Sequence, residues 1–413
     1  MDLAKRHQLP NGLTLIHLHT PGSAVAHFGV AIRAGSGNEI TPEEYGLAHF
    51  VEHTLFKGTE RRSSWHIINR MEAVGGELNA FTTKQDTVVY SAFPKNALTR
   101  ALDLIVDLLV NSRFPEAEIN KEREVICDEI NSYLDSPADA VYDDFEDILY
   151  AGTPLGHNIL GTEKTVRNIT SEMCRGWIRR HYTAPDMVAF YAGPVSASSF
   201  LKKAEPYLTK LPGSAKQGLE LCASVSMPST PFNKIKILDS HQAHTVMGCA
   251  VNGLDDRKRT ALALVTNILG GPGMNSALNV SMREHRGLVY NVESSMTGMA
   301  DTTMFTTYFG CDPADNRKCI QLVCDEISRI ADGRIDARKL AGAKKQYRGQ
   351  LILARANTEN RIIGIARATL LHGRAIPPAE TDILIDSITP EMVVDTARLL
   401  IPLSSLTLTP EKL

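Results

Sequence analysis

The sequence predicts an α+β chain of two domains of like design, each a mainly antiparallel sheet packed with helices. Three observations carry this. At 413 residues the chain exceeds what one ordinary core organises and corresponds to two domains of roughly 200 residues. Segments rich in Val, Tyr and Thr alternate with long segments of helical apolar spacing, the pattern of a sheet layered with helices. The same order of segments then recurs beyond a loose stretch from Leu211 to Pro231, which holds Pro212, Gly213, Gly218, Pro228 and Pro231. The expected division is residues 1–212, a linker at 213–232 and a second domain at 233–413.

In chain order, Leu13 to Leu18 follows an Asn11-Gly12 turn and reads as a strand, with Val25 to Ile32 as its partner. Trp65 to Val74 has helical spacing and stops at Gly75-Gly76. Asp86 to Phe93 reads as a strand. Ala97 to Asn111 and Glu116 to Tyr133 read as helices, the second ending before Ser136-Pro137. Met187 to Ala192 is a further strand. After the loose stretch, Ile235 to Leu238, Thr245 to Val251 and Thr302 to Phe309 are strand-like, while Arg259 to Leu269, Asp315 to Ile330 and Arg338 to Ala356 are helical.

Composition narrows the function. A content of 43% hydrophobic and 22% charged residues is that of a globular protein. The net charge of −3 argues against a nucleic-acid partner, which calls for a basic stripe. No apolar run reaches the roughly eighteen residues that span a membrane. Met1 to Arg6 has no apolar core like that of a secretory signal, so the chain as given reads as cytoplasmic. Seven scattered cysteines, odd in number and without a Cys-x-x-Cys, speak against a disulfide framework and against a thiolate zinc site.

The chemistry-bearing stretch is His49-Phe50-Val51-Glu52-His53. Histidines four residues apart share one helix face about 6 Å apart along the axis, so both can reach one ion. Thr41-Pro42-Glu43-Glu44 reads as the start of that helix, with Thr41 as N-cap, Pro42 in the first position and Glu44 closing a capping box. Zinc hydrolases need two neutral nitrogens, an oxygen ligand, an open position and one carboxylate that does not bind the metal. Glu122 and Glu129 lie seven residues apart, two turns along one helix face, and one can bind zinc while the other orients a histidine. In the second half the matching helix, Ala261 to Asn267, has no histidine or glutamate, and Ala343 to Gln350 stands where Glu122 to Glu129 stood. A duplication in which one copy kept the metal-binding residues explains this. His241 and His244 read as surface residues rather than ligands. The glycines at 270–273, with no Gly-Lys-Ser/Thr after them, read as a turn at a helix end rather than a phosphate loop. Taken alone, Arg283 reads as a surface charge and Tyr290 as a half-buried strand residue.

Together these residues resemble the M16 metallopeptidases, called inverzincins because His-x-x-Glu-His reverses the common zinc-peptidase motif. Gly46 to His53 followed by Phe56-Lys57-Gly58-Thr59 is similar to the family's active-site block, and Gly75-Gly76-Glu77-Leu78-Asn79-Ala80-Phe81-Thr82 to its substrate-binding edge strand. Arg283-Glu284-His285-Arg286-Gly287-Leu288-Val289-Tyr290 resembles the segment that carries its substrate-binding Arg and Tyr. A proline within Gly270 to Met274 departs from the family's glycine run. The resemblance implies two homologous α/β-sandwich domains forming half of a clamshell, and one Zn2+ per chain held by His49, His53 and Glu129 with Glu122 in support. It implies Glu52 as general base, a peptide bound as an added strand along Asn79, Ala80, Phe81 and Thr82, and Arg283 and Tyr290 donating to substrate carbonyl groups. The implied activity is endopeptidase hydrolysis of unfolded or short peptides inside a closed chamber, completed by a homodimer with shared active sites. The alternatives are a non-catalytic scaffold subunit and a processing-peptidase subunit that needs a different partner chain.

Overall fold

The computed structural model describes residues 4–213, 230–238 and 240–410. The first half runs β1 (Lys5–Gln8), β2 (Thr14–His19), β3 (Val25–Ile32), α1 (Leu47–Leu55), α2 (Ser64–Glu72), β4 (Glu77–Thr82), β5 (Thr87–Pro94), α3 (Leu98–Asn111), α4 (Glu116–Leu134), α5 (Pro137–Leu149), α6 (Glu163–Asn168), α7 (Ser171–His181), β6 (Met187–Gly193) and α8 (Ala197–Leu208). The second runs β7 (Asn233–Ile237), β8 (Ala243–Asn252), α9 (Asp256–Gly270), a π-helical turn at Asn279–Glu284, β9 (Val289–Gly298), β10 (Thr302–Cys311), α10 (Asn316–Ala331), α11 (Ala337–Ala354), α12 (Thr358–His372), α13 (Pro378–Asp386), α14 (Pro390–Leu399) and β11 (Ser404–Thr409).

The described residues form two sheets, β1-β2-β6-β3-β5-β4 and β7-β11-β8-β10-β9. Each has one internal parallel pair, β2 with β6 and β7 with β11, and is otherwise antiparallel. Leaving out β1, the two orders superimpose strand for strand, and α1, α3 and α4 recur as α9, α10 and α11. This supports the duplication read from the sequence. One pairing differs from expectation: β2 and β3 are not partners, because β6 lies between them and bonds to both. Its side chains explain the placement. Ala189 and Tyr191 join the core beneath the helices, while Val188, Phe190 and Ala192 join a second cluster on the opposite face. An unbroken apolar strand buried on both faces belongs inside a sheet.

The cores also correct the expected domain division. One compact unit comprises 1–131, 157–223 and 354–375, and the other 132–156, 224–353 and 376–413. The halves have thus exchanged equivalent helices. α5 packs on the second sheet through Val141, Phe145 and Leu149, against Val246, Leu406 and Leu408. α12 packs on the first through Ile362, Ile363, Ala366 and Leu370, against Ile16, Leu18, Val88, Val188 and Phe190. No contiguous cut separates the units, because one face of each sheet packs against a helix from the other half of the chain. Most of the expected linker, residues 214–229, lies outside the described residues. No described helix is long and apolar enough to cross a membrane. The described cysteines are free thiols, and Cys222 lies outside the described residues.

Both tryptophans, Trp65 and Trp177, belong to the first unit, and Trp177 is fully buried there. Ile362, also fully buried, comes from the other half of the chain. We expect Ile362→Ala to cost about 2–5 kcal/mol, read as a lower midpoint of tryptophan-monitored unfolding. An unchanged midpoint would detach α12 from the first core.

Candidate metal centre

The helix α1 starts where Gly46 turns the chain. Gly46 has φ +93°, and a Cβ there would lie 2.6 Å from the Leu160 carbonyl oxygen, so the position suits only glycine. The amides of Gly46 and Ala48 donate to the buried Glu39 carboxylate at 3.0 and 2.8 Å, which satisfies orphan donors at the helix head. The capping box expected at Thr41 and Glu44 is therefore corrected. Pro42–Glu44 is a separate 3-10 turn without a side-chain cap from Thr41. Glu44 accepts from the Ile40 amide at 3.1 Å and from Arg180 at 2.6 Å instead.

Along α1, Leu47, Ala48, Phe50, Val51 and Leu55 enter the core, which leaves His49, Glu52 and His53 on the side toward α4. The imidazole centroids of His49 and His53 are 4.5 Å apart. Glu129 Oε2 lies 3.8 Å from His49 Nε2 and 3.6 Å from His53 Nε2. One donor atom from each of these three residues falls within 4.8 Å of the others. Two turns earlier on α4, the buried Glu122 accepts from His53 Nδ1 at 3.3 Å and pairs with Lys57 Nζ at 2.7 Å. That bond engages Nδ1 and leaves Nε2 on the side of Glu129.

The electrostatics suit a cation. Burial, reinforced by the neighbouring His53, lowers the pKa of His49 to about 3, so this imidazole is neutral and able to ligate. Burial also opposes charge on His53, but Glu122, Glu129 and Glu52 outweigh it and raise its pKa. Glu122 is likewise pushed up by burial, yet its bonds to His53 and Lys57 hold it below the ordinary carboxylate value. Burial raises Glu52 despite a hydrogen bond from the Thr82 side chain, which moves it in the direction a general base requires. Three carboxylates and a single lysine surround two imidazoles, one of which cannot charge, and a divalent cation would balance the excess. Two ligands about 2.0–2.1 Å from a tetrahedral zinc stand roughly 3.3 Å apart, close to the separations of Glu129 from the two histidines. The donor set therefore fits zinc, with His49, His53 and Glu129 as ligands.

The strand β4 is the last of its sheet. Leu78 and Ala80 pack toward the core and Phe81 toward α12, so alternation puts Thr82 on the side of Glu52 and leaves Asn79 with Phe81. Arg283 and Tyr290 belong to the other unit, on the π-helical turn and on β9. There the guanidinium lies 5.8 Å from the centre of the Tyr290 ring. Tyr290 is 85% exposed rather than half-buried. His244 is half-buried in β8 and bonds the Tyr308 hydroxyl at 2.9 Å, while His241 is exposed. Gly270 and Gly271 close α9, as a turn at a helix end should.

Sequence reasoning missed Glu39 and assigned no role to Lys57 or to the Thr82 hydroxyl. Glu39 carries no local signature. Lys57, four residues after His53, could have been found from helical spacing, although it lies just past the end of α1.

Comparison with known proteins gives a family. Residues 14–163 match the model of insulinase, peptidase family M16, and residues 168–347 match that of the peptidase M16 inactive domain. The second match covers α9 and much of α11, where the ligands are missing. An uncharacterized zinc protease of Streptomyces coelicolor is 32% identical over 95% of this chain and 86% of its own. Another from Bacillus subtilis is 30% identical over 90% of this chain and 89% of its own. In fold, the chain is similar to a protease from Helicobacter pylori, with TM-score 0.90, 18% identity and 99% of both chains covered. A crystal structure titled peptidase M16 inactive domain from Pseudomonas fluorescens has TM-score 0.88 at 18% identity, covering 99% of this chain and 98% of that one. The chain belongs to peptidase family M16, the insulinase family.

Proposed function

We propose that the chain is a zinc-dependent endopeptidase acting on unfolded or short peptides, with one zinc per chain and Glu52 as general base. The observation that carries this reading is the convergence of His49, His53 and Glu129 beside a Glu52 whose carboxylate contacts the edge strand. A scaffold role would leave that constellation without a use. When bound, zinc supplies Lewis acidity and lowers the pKa of water to about 7. Glu52 would accept the proton of the attacking water and return it to the leaving nitrogen. The open edge of β4, from Asn79 to Thr82, offers backbone groups to an extended peptide, which gives affinity without demanding a sequence. Arg283 and Tyr290 would donate to substrate carbonyl groups, with Tyr290 placed to stabilise a developing oxyanion.

Glu52→Gln keeps the shape but cannot take the proton. Cleavage of a quenched peptide should fall roughly a hundred- to ten-thousandfold with zinc content unchanged, and wild-type turnover would remove Glu52 from this role. In Glu129→Gln a neutral amide oxygen replaces a charged ligand, so zinc should be lost on dialysis. Retained stoichiometric zinc would place the third ligand elsewhere, with Glu122 the first candidate.

We further propose a two-fold homodimer that encloses a chamber and shares its sites, His49, Glu52, His53 and Glu129 of one protomer facing Arg283 and Tyr290 of its partner. The exposure of Tyr290, on an edge strand of the other unit, supports this. A Glu52→Gln chain and an Arg283→Ala/Tyr290→Phe chain should each be nearly inactive. Random exchange makes about half of the dimers mixed, each with one of two sites intact, so about a quarter of wild-type activity should return. No recovery after exchange verified by mass spectrometry would mean that the pair acts within its own chain or has no catalytic role.

A further inference from the structure

A buried segment joins the two parts of the proposed site. Residues 34–39 run from the end of β3 toward the head of α1, and each end is bonded to a different element. At one end the turn between β4 and β5 holds them. The Ser36 amide donates to the Thr83 carbonyl at 3.1 Å, the Gly37 amide to the Lys84 carbonyl at 2.7 Å, and the Thr87 hydroxyl to the Ala34 carbonyl at 2.7 Å. A Cβ on Gly35 would lie 2.4 Å from the Gln85 amide nitrogen, so the backbones approach to within glycine distance. At the other end Glu39, with its side chain fully buried, accepts from the Gly46 and Ala48 amides and from His157 Nε2 at 2.8 Å.

Two side chains close the circuit. His157 stacks on Tyr45 at 3.9 Å between centroids, and its own carbonyl accepts from the Lys84 ammonium, which comes from the β4–β5 turn. The turn itself is fixed on its far side. Asp86 is fully buried; it accepts from the Thr83 hydroxyl at 2.5 Å and, as a bidentate pair, from Arg367 of α12 at 2.6 and 2.8 Å.

From this geometry we infer that Glu39 is a positioning residue, which with His157 and Lys84 sets the distance between the metal-binding helix and the substrate strand. The inference rests on the zinc-peptidase reading above. Glu39 touches neither metal nor substrate. It holds the first turn of α1, three residues before His49, while the same buried segment holds the turn one residue beyond Thr82. The contact of Glu52 with Thr82 spans the gap between these two elements, so a shift of either moves the base relative to the bound peptide. A misplacement of about 1 Å can cost on the order of a hundredfold in rate. A cap that merely stabilised α1 would change the folded fraction and leave the geometry of folded molecules alone.

Glu39→Gln separates these roles. Glutamine keeps the volume but turns an NH2 toward one of three donors that the carboxylate accepts. The full-length chain, loaded with Co2+ in place of zinc, should still bind the metal but show shifted visible d–d bands. On zinc, kcat per bound metal should fall about tenfold to a hundredfold while KM changes less than about threefold. His157→Gln, which restores an N–H donor toward Glu39, should keep both signals near wild type, and His157→Ala should not. If Glu39→Gln fails to fold, the two His157 variants decide alone. Unaltered cobalt bands, with any loss of activity explained by the folded fraction, overturn the positioning role and leave the peptidase reading intact. A wild-type chain that takes up no cobalt overturns both. One that binds cobalt and cleaves no peptide overturns the peptidase reading, and the spectra still decide on Glu39.

Discussion

Everything at the site depends on one helix serving two surfaces. α1 is nine residues long, a little over two turns, and it must bury Phe50, Val51 and Leu55 while presenting His49, Glu52 and His53 to α4. A helix this short has little stability of its own and is held by packing and by its ends. The buried Glu39 therefore matters beyond a single hydrogen bond. It accepts from two amides at the positive end of the helix dipole and fixes the rotation of a helix whose candidate ligands fill one narrow face. The opposite end runs into Lys57, which holds Glu122 and through it the ring of His53.

The same argument explains what the second copy lost. In α9 the equivalent positions bury Ala261, Leu262, Leu264 and Val265, and the helix spends its faces on packing. Where α4 carries Glu122, Glu124, Asp128 and Glu129, α11 carries Lys344, Lys345 and Arg348. Without imidazoles and a lysine around it, a buried carboxylate such as that of Glu122 would have nothing to compensate it.

Much of this was legible in the sequence because it is written in local periods. The spacing of His49 and His53, and of Glu122 and Glu129, follows from 3.6 residues per turn. The strands β2, β3, β5, β6, β7, β8 and β10 and the helices α2, α3, α4, α9, α10 and α11 announced themselves by apolar pattern, with most ends within a few residues of the structure, whereas β1, β9, β11, α5 and α12 were not read. What stayed hidden is non-local. The place of β6 between β2 and β3 depends on a pairing more than 150 residues away. The exchange of α5 and α12 cannot be seen in either helix, since an apolar face shows that a surface is covered and not which sheet covers it. Glu39 looks like any surface acid until His157, over a hundred residues later, is placed against it. The local signal at Thr41 to Glu44 was real, but it described a short turn rather than the helix that matters.

The exchange of helices bears on why the ligand-free copy is retained. One face of the first sheet packs against α12, which belongs to the second half of the chain and lies beyond the matched inactive domain. The same helix supplies Arg367, whose guanidinium binds both oxygens of Asp86 and lies 5.5 Å from the centre of the Phe81 ring in β4. A first half made alone would leave Ile16, Val88, Val188 and Phe190 uncovered and Asp86 buried without its cation. Truncating one partner of a buried ion pair is strongly destabilising because the remaining charge has no compensation. The half of the chain without the candidate ligands thus contributes, through α12, to the folding of the unit that carries them.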